Sequence, residues 1–340
     1  MIQAKVIADS KNEFGNRITT MIVTMPRIIL AEFNTHRMLS RNSASSRAIP
    51  FEKMVKAVEE NPFIPIAWQK DHKGMQGVEY ITDGVCLYEK TMLWLGARNE
   101  AVKHAKMLNT SRPDSNVEGV TKQLCNRLLE PFMWHTVIVT ATEWENFFAL
   151  RCPQYAMTSE HIYRSKRDAM RSVVGLHSDT INDTLYWLSK NKGQAEIHMM
   201  AVAEAIWDAL HESIPKELKA GEWHIPFGDN IDRTELAETF GYRPEYGYEQ
   251  EIQEDMIKIA TARCARVSYT VVGEEGKVPN YENDIQLHDR LAASGHWSPF
   301  EHCAMAMDDS DDFGNGKWSG NFKGFIQYRK TFQNENITNE

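Results

Sequence analysis

A donor-rich stretch between residues 34 and 50 carries the side chains best suited to chemistry. It reads NTHRMLSRNSASSRAIP and holds arginines, serines, asparagines and a histidine, but no acidic residue. An arginine fork binds two oxygens of a phosphate at once, and serine hydroxyls donate further hydrogen bonds. The stretch therefore favours a phosphate-bearing ligand, although a solvated turn can have the same composition.

The charge of the whole chain restricts how such a ligand is held. The 340 residues carry a formal net charge of −9, which argues against a broad nucleic-acid-binding face. An anionic ligand would instead be bound by a local cluster of arginines. The sequence contains neither G-x-x-x-x-G-K-[ST] nor G-x-G-x-x-G, so it signals neither a P-loop nor a dinucleotide-binding fingerprint.

The cysteines and the apolar runs indicate the cellular setting. The cysteines are scattered without a C-x-x-C pair, which argues against both a disulfide framework and a metal site: Cys86, Cys125, Cys152, Cys264 and Cys303. No apolar run is long enough for a membrane span, and MIQAKVIADSKNE lacks the order of a signal peptide. We therefore expect a cytoplasmic protein without a membrane partner.

Periodicity predicts the elements that must position the donor-rich stretch. Strands are predicted over 6–10, 16–25 and 134–142, and helices over 27–33, 51–60, 83–109, 117–129, 143–151, 159–173, 194–213 and 284–294. Strand and helix signals alternate along the chain, and no low-complexity linker separates two parts. The pattern predicts one intertwined α/β unit instead of two separable domains.

The spacing inside the donor-rich stretch matches a known signature. His36-Arg37 is followed after seven residues by Ser45 and then by Arg47. This resembles R-H-R-x7-S of the flavin-dependent thymidylate synthases (the ThyX family). Four other stretches are similar to elements of that family: NRLLEP (126–131), ENFFALR (145–151), QAEIHMMAVAEAIWDAL (194–210) and SGHWSPFEH (294–302).

The order of these elements differs from the family order. In the family, G-H-x-S-P-F-E-H precedes the signature, whereas here it lies near residue 296 and is followed by GNFKGFIQYRK (320–330). That segment resembles a second copy of the strand and helix that lead into the signature. The resemblance implies a ThyX-like α+β fold with a mostly antiparallel central sheet, long flanking helices and an internal duplication. We divide the single unit into a first half (1–150), an inserted helical segment (152–191) and a second half (192–340).

The resemblance implies a reaction and a role for each matched position. The family methylates C5 of dUMP to give dTMP with methylenetetrahydrofolate, FAD and NADPH, and its subunits pool residues, so we expect a homo-oligomer, either a dimer or a tetramer. Arg151 would be catalytic, stabilising negative charge on the pyrimidine ring. The substrate site would comprise Glu32, Thr35, Ser43, Ser45, Arg47, Arg127, Arg151 and Gln327, and the FAD site His36, Arg37, Asn146, His296, Ser298 and Glu301.

Departures from the signature leave the substrate open. Thr35 replaces the first arginine, Ser43 replaces an acid, and Glu32 stands where the family has glutamine. An ionised carboxylate accepts hydrogen bonds but does not donate them, so dCMP, or hydroxymethyl transfer, is an alternative. We expect Gln327 in the second copy to take the place of the missing glutamine.

Two further hypotheses follow from the same departures and from the insertion. The protein could retain nucleotide or flavin binding without catalysis, because signature positions have changed. It could instead modify a polynucleotide, with Arg164, Lys166, Arg167 and Arg171 of the insertion contacting the strand, although the net charge of −9 opposes this. If the protein is instead the flavin-dependent enzyme, those four cations would face the anionic substrate or the folate glutamate tail.

Overall fold

A five-stranded sheet forms the centre of the fold. The computed structural model describes residues 1–74, 77–112, 116–157, 161–172, 183–242, 247–269, 280–311 and 317–336. The strands are β1 (Gln3–Asn12), β2 (Arg17–Pro26), β3 (Ser40–Ser43), β4 (Trp134–Ala141), β5 (Tyr155–Ala156), β6 (Ile162–Tyr163), β7 (Lys216–Leu218), β8 (Trp223–His224), β9 (Ala304–Ala306), β10 (Trp318–Ser319), β11 (Phe322–Lys323) and β12 (Phe325–Gln327). The central sheet has the order β3-β4-β2-β1-β7, a second sheet has the order β12-β9-β8, and β5-β6 and β10-β11 form two-stranded ribbons.

Helices cover both faces of the central sheet. They are α1 (Leu30–Phe33), α2 (Phe51–Glu60), α3 (Gly84–Asn109), α4 (Lys122–Arg127), α5 (Glu145–Arg151), α6 (Lys166–Ser172), α7 (Thr184–Lys190), α8 (Ile197–Glu212), α9 (Arg233–Phe240), α10 (Glu249–Arg266) and α11 (Tyr281–Ala293). All pairings in the central sheet are antiparallel except that of β1 with β7. The expectation of a mixed α/β fold is confirmed.

Side chains along β2 and β4 point alternately to the two faces of the sheet, and each face packs against a different set of helices. Val23 and Val139 lie in the buried cluster formed with α1, α5 and α8. Ile138, the neighbour of Val139, faces the other way and packs against Cys264 near the end of α10. Successive side chains of a strand point to opposite faces, so β-branched runs such as VIVT build a sheet buried on both sides.

Two local expectations need correction. The helix predicted over 117–129 is only α4, because Thr121 caps it by accepting a hydrogen bond from the Gln123 amide, 3.2 Å away. Part of the donor-rich stretch is strand β3, which is held by pairing with β4. Part of the helix predicted over 159–173 lies outside the described residues; α6 and the short strand β6 occupy the described part.

The same local arrangement occurs twice. In the first half, a 3₁₀ turn at Glu130–Phe132 leads into β4, which runs antiparallel to β2, and β2 passes into a 3₁₀ turn at Arg27–Ile29. In the second half, a 3₁₀ turn at Ser298–Glu301 leads towards β9, which runs antiparallel to β12, and β12 passes into a 3₁₀ turn at Tyr328–Thr331. Both leading turns contain proline followed by phenylalanine.

A buried chain of hydrogen bonds connects the two halves behind the central sheet. Ser10 Oγ lies 2.9 Å from His224 Nδ1, and His224 Nε2 lies 2.8 Å from Thr20 Oγ1. Thr20 Oγ1 lies 2.7 Å from Thr140 Oγ1, which in turn lies 2.8 Å from His302 Nδ1. Burial lowers the pKa of both His224 and His302 to about 3, so both imidazoles are neutral in the folded protein.

Among the helices of the described ranges, none combines the length and the apolar character that a membrane span requires.

Candidate functional site

A cleft of about 710 Å³ lies beside the edge strand β3. The turn that follows β3 forms one wall, and segments from α4, β4, α10 and the end of α11 form the others. Its lining includes six of the positions selected from the sequence: Ser43, Ser45, Arg47, Arg127, His296 and Ser298. Segments distant in sequence therefore meet at one surface.

Asn126 fixes the relative position of the two arginines at the cleft. Its side-chain amide is buried and donates hydrogen bonds to the carbonyl oxygens of Ser46, at 2.9 Å, and Ile49, at 3.2 Å. The turn is closed further by the Ser45 carbonyl, which accepts from the amide of Ile49 at 3.1 Å. The turn that carries Arg47 is thereby tied to the helix that ends at Arg127.

Asn42 joins the opposite wall to the second half of the chain. Its side-chain nitrogen donates to the Cys264 carbonyl at 2.8 Å, and its oxygen lies 3.5 Å from Ser298 Oγ. After α11, Gly295 adopts a φ of +70°, a left-handed conformation that glycine reaches without strain. The chain then turns back and brings His296 to the cleft.

The cations of the cleft differ in how they are engaged. Arg27 pairs with Glu130 at 3.3 Å, and Arg41 donates to the carbonyl oxygen of His36 at 2.7 Å. Within the described ranges, the side chains of Arg47 and Arg127 make no ion pair, and both are exposed. These two guanidinium groups are therefore available to an anionic ligand.

Arg151 belongs to a second cluster, outside the lining of the cleft. Its guanidinium forms an ion pair with Glu32 and donates from Nε to His36 Nε2 at 2.9 Å. Burial, Arg151 and Arg41 lower the pKa of His36 to about 4, so the imidazole is a neutral acceptor. Thr35 is exposed, and its hydroxyl donates to the Glu32 carbonyl at 2.7 Å.

Glu301 and Gln327 lie in a third group that joins the two halves. Glu301 accepts from Arg329 at 2.6 Å and from Ser40 Oγ at 3.1 Å. Gln327 is buried, and its amide nitrogen donates to Asn321 Oδ1 at 3.0 Å. Neither side chain is part of the cleft lining, so within one chain both are engaged in internal contacts.

The positions assigned to FAD are divided between these groups. His296 and Ser298 line the cleft. His36 packs edge-on against Phe147, with ring centroids 4.9 Å apart, and so lies beside Asn146 on α5. Arg37 and Asn146 are exposed. A single chain does not bring all of these positions to one cavity.

Three of the four cations of the insertion pair with α8. Arg171 lies 3.3 Å from Glu212, Lys166 lies 3.9 Å from Glu204, and Arg167 contacts Glu212. None of these side chains lines the cleft beside β3. Residues 158–160 and 173–182 of the insertion lie outside the described part of the chain.

Two buried side chains near these groups bear on the chemistry. Burial raises the pKa of the Cys152 thiol well above its usual range, so Cys152 is not an activated nucleophile. His135, which the sequence interpretation did not select, lines the cleft from β4. The available signal was a histidine in WHTVIVT, at a position that shares its strand face with Val137 and Val139.

Comparisons with known proteins give limited similarity. No protein-family model and no curated protein sequence matches the chain. Among solved structures, the UMP/dUMP methylase PolB from Streptomyces cacaoi bound with 5-Br dUMP is similar at 11% identity and a TM-score of 0.39, covering 62% of this chain and 90% of that chain. The same methylase bound with 5-Br UMP gives 11% identity, a TM-score of 0.39 and coverage of 62% and 89%. At these values the similarity carries no argument about activity.

Proposed function

We propose that the protein is a flavin-dependent enzyme that transfers a one-carbon unit from methylenetetrahydrofolate to C5 of a pyrimidine deoxynucleotide, converting dUMP to dTMP. The observation that carries the proposal is the meeting of the segments around Ser45, Arg127 and His296 at one cleft. Each of those segments carries a separate motif of the sequence. The proposal includes a ThyX-like fold with internal duplication, which the repeated turn-and-strand arrangement of the two halves supports.

The nucleotide phosphate has a suitable place between Arg47 and Arg127. Arg47 and Arg127 present guanidinium groups to the cleft, and Ser45 adds a hydroxyl to the same turn. A charge-assisted, forked contact to phosphate fixes orientation as well as affinity. In this proposal the phosphate end of dUMP lies at the Arg47–Arg127 wall.

Removing either arginine is expected to weaken nucleotide binding. Arg47→Ala and Arg127→Ala should each reduce the binding free energy of dUMP by about 1.5 to 3 kcal/mol, the range for hydrogen bonds to charged groups. Isothermal titration calorimetry measures the effect. Arg171→Ala removes an arginine of the insertion from an ion pair with Glu212 and should leave dUMP affinity unchanged. Equal losses of dUMP and FAD affinity in the cleft variants would contradict the assignment.

The catalytic proposal depends on charge stabilisation instead of a cysteine nucleophile. C5 of the pyrimidine becomes nucleophilic when negative charge on the ring is stabilised at its O2/N3 edge. The planar guanidinium of Arg151, already oriented by Glu32 and His36, is suited to that role. The cluster lies outside the cleft lining of one chain, which bears on how many chains form a site.

The residues assigned to FAD have side chains that could bind it, but within one chain they lie in two separate groups. His296 and Ser298 would hold it at the cleft, and His36, Arg37 and Asn146 would hold it beside α5. FAD, when bound, supplies the hydride that reduces the transferred carbon, and NADPH restores it. Because the two groups are separated within one chain, we propose that a second copy completes the site in a dimer or tetramer. Light scattering with and without FAD measures the number of copies.

Purified protein is expected to be yellow, or to bind added FAD with micromolar or tighter affinity. The reason is the set of matched positions at His36, Arg37, Asn146 and 296–301. Fluorescence quenching of FAD measures the affinity, and riboflavin, which lacks the pyrophosphate and adenosine, serves as the comparison ligand. A colourless protein that quenches neither would remove flavin chemistry from the proposal.

The carboxylate of Glu32 favours a second candidate substrate. Glu32 forms an ion pair with Arg151, and a carboxylate has further lone pairs with which to accept a hydrogen bond. The exocyclic amine of cytosine is such a donor, whereas uracil has a carbonyl at that position. Mass spectrometry of products from dUMP and from dCMP, each with methylenetetrahydrofolate and NADPH, distinguishes the substrates and reveals methyl or hydroxymethyl transfer.

A further inference from the structure

His135 stands out as a buried polar side chain without a partner. Its relative exposure is 3%, and neither Nδ1 nor Nε2 has a hydrogen-bond partner among the residues that the structure describes. Leaving a buried donor or acceptor unpaired costs about 1 to 3 kcal/mol. The residue is thus unfavourable for stability and calls for another explanation.

The position of His135 points to the cleft. It is the second residue of β4 and shares a face with Val137 and Val139, which lie in the apolar core. At His135 the wall is no longer core, because the residue lines the cleft together with Arg27 and Met133. A strand that is apolar along this face therefore places its one imidazole in the wall of the cleft.

The protonation state of His135 restricts what it can bind. Burial, followed by the charge of Arg27, lowers its pKa to about 3, so the ring is neutral near pH 7. A neutral imidazole has one donor nitrogen and one acceptor nitrogen. It therefore suits a neutral group that both donates and accepts, whereas the exposed guanidinium groups of Arg47 and Arg127 suit phosphate.

We propose that His135 is a ligand-binding residue of the cleft that hydrogen-bonds the nucleoside part of the nucleotide, at a sugar hydroxyl or a base edge, while Arg47 and Arg127 hold the phosphate. The inference rests on the proposed nucleotide site. It adds a neutral hydrogen-bonding contact that the signature did not mark, beside the charged contacts of Arg47 and Arg127.

His135→Leu and His135→Gln test the assignment. Leucine fills a similar space without polar atoms, whereas glutamine keeps one donor and one acceptor. His135→Leu is expected to lower dUMP affinity about tenfold, as for loss of one well-formed hydrogen bond, and His135→Gln to restore most of it. Inorganic phosphate should bind the wild type and both variants equally. Deoxyribose 5-phosphate distinguishes a contact to the sugar from a contact to the base. His135→Leu should bind it more weakly than the wild type only if His135 contacts the sugar.

The stability of the same variants separates a binding role from a structural one. Because His135 has no hydrogen-bond partner in the described part of the chain, His135→Leu should unfold at the same temperature as the wild type or higher. A clear fall in that temperature, equal losses for all three probes, or unchanged dUMP affinity would overturn the inference. If wild-type protein binds none of the probes, the proposed function fails as well; if it binds dUMP and His135→Leu does so equally, only the His135 assignment fails.

Discussion

Arg151→Lys is expected to lower the rate of C5 proton release from dUMP by about a hundredfold, with a smaller loss of nucleotide affinity. The guanidinium contacts Glu32 through one nitrogen and His36 through another. A lysine ammonium is a point charge and cannot hold both partners while presenting a planar fork to the O2/N3 edge of the ring. Release of tritium from C5-labelled dUMP measures the step, and calorimetry measures the affinity.

Arg171→Lys is the matched control, because it makes the same replacement in an arginine paired with Glu212 on α8. It should leave both proton release and dUMP affinity at wild-type values. Thermal unfolding of both variants shows whether the fold is intact. Near-normal proton release in a folded Arg151→Lys protein would remove Arg151 from the catalytic role.

Acidification is expected to destabilise the protein through His224 and His302. Both rings are fully buried and neutral, and their pKa is lowered from 6.5 to about 3. The unfolded chain takes up a proton at each histidine below pH 6.5, whereas the folded chain does not. The resulting loss of unfolding free energy is therefore absent above pH 6.5 and grows as the pH falls towards 3. At pH 5 it amounts to about 2 kcal/mol for each ring.

Urea unfolding at a series of pH values measures this loss. His224→Gln removes one of the two rings and should reduce the slope of the unfolding free energy between pH 6.5 and 5 by about 1.4 kcal/mol per pH unit. His211→Gln, at an exposed position of α8, is the control and should keep the wild-type slope. An unchanged slope in His224→Gln would show that His224 takes up a proton as readily in the folded protein as in the unfolded chain.

Local sequence signals were sufficient for the strands and helices that are regular along the chain. The β-branched runs of β2 and β4 predicted buried strands, and the signal for 194–213 gave α8 nearly to its ends. Strand β3 could not be found this way, because SRNS has no strand propensity and is held by pairing with β4. Helix α10 was not predicted, because charged residues such as Asp255 and Arg263 occupy buried positions and interrupt the apolar pattern of the helix.

The sequence predicted the candidate site only where a contact depends on residue type and spacing. Spacing selected Ser45 and Arg47, and both line the cleft. It gave no sign that Asn126 would tie their turn to α4, because that contact joins segments that are remote in the chain. Nor could it show that Lys166, Arg167 and Arg171 would pair with α8, because a charge in the sequence does not identify its partner.

The hydrogen bonds that join the halves also govern when the chain can fold. Asn12 donates to the Gly324 carbonyl at 2.8 Å across a sequence separation of 312 residues, and Thr140 reaches His302 across 162. Contacts between such remote residues require large loops to close, which slows folding. During synthesis, the β1–β2 hairpin leaves the ribosome long before Gly324 is made. Thr20 and Thr140 can already pair with each other at that stage, but their histidine partners His224 and His302 have not yet been made. This face of the sheet therefore stays uncovered until the second half of the chain is complete.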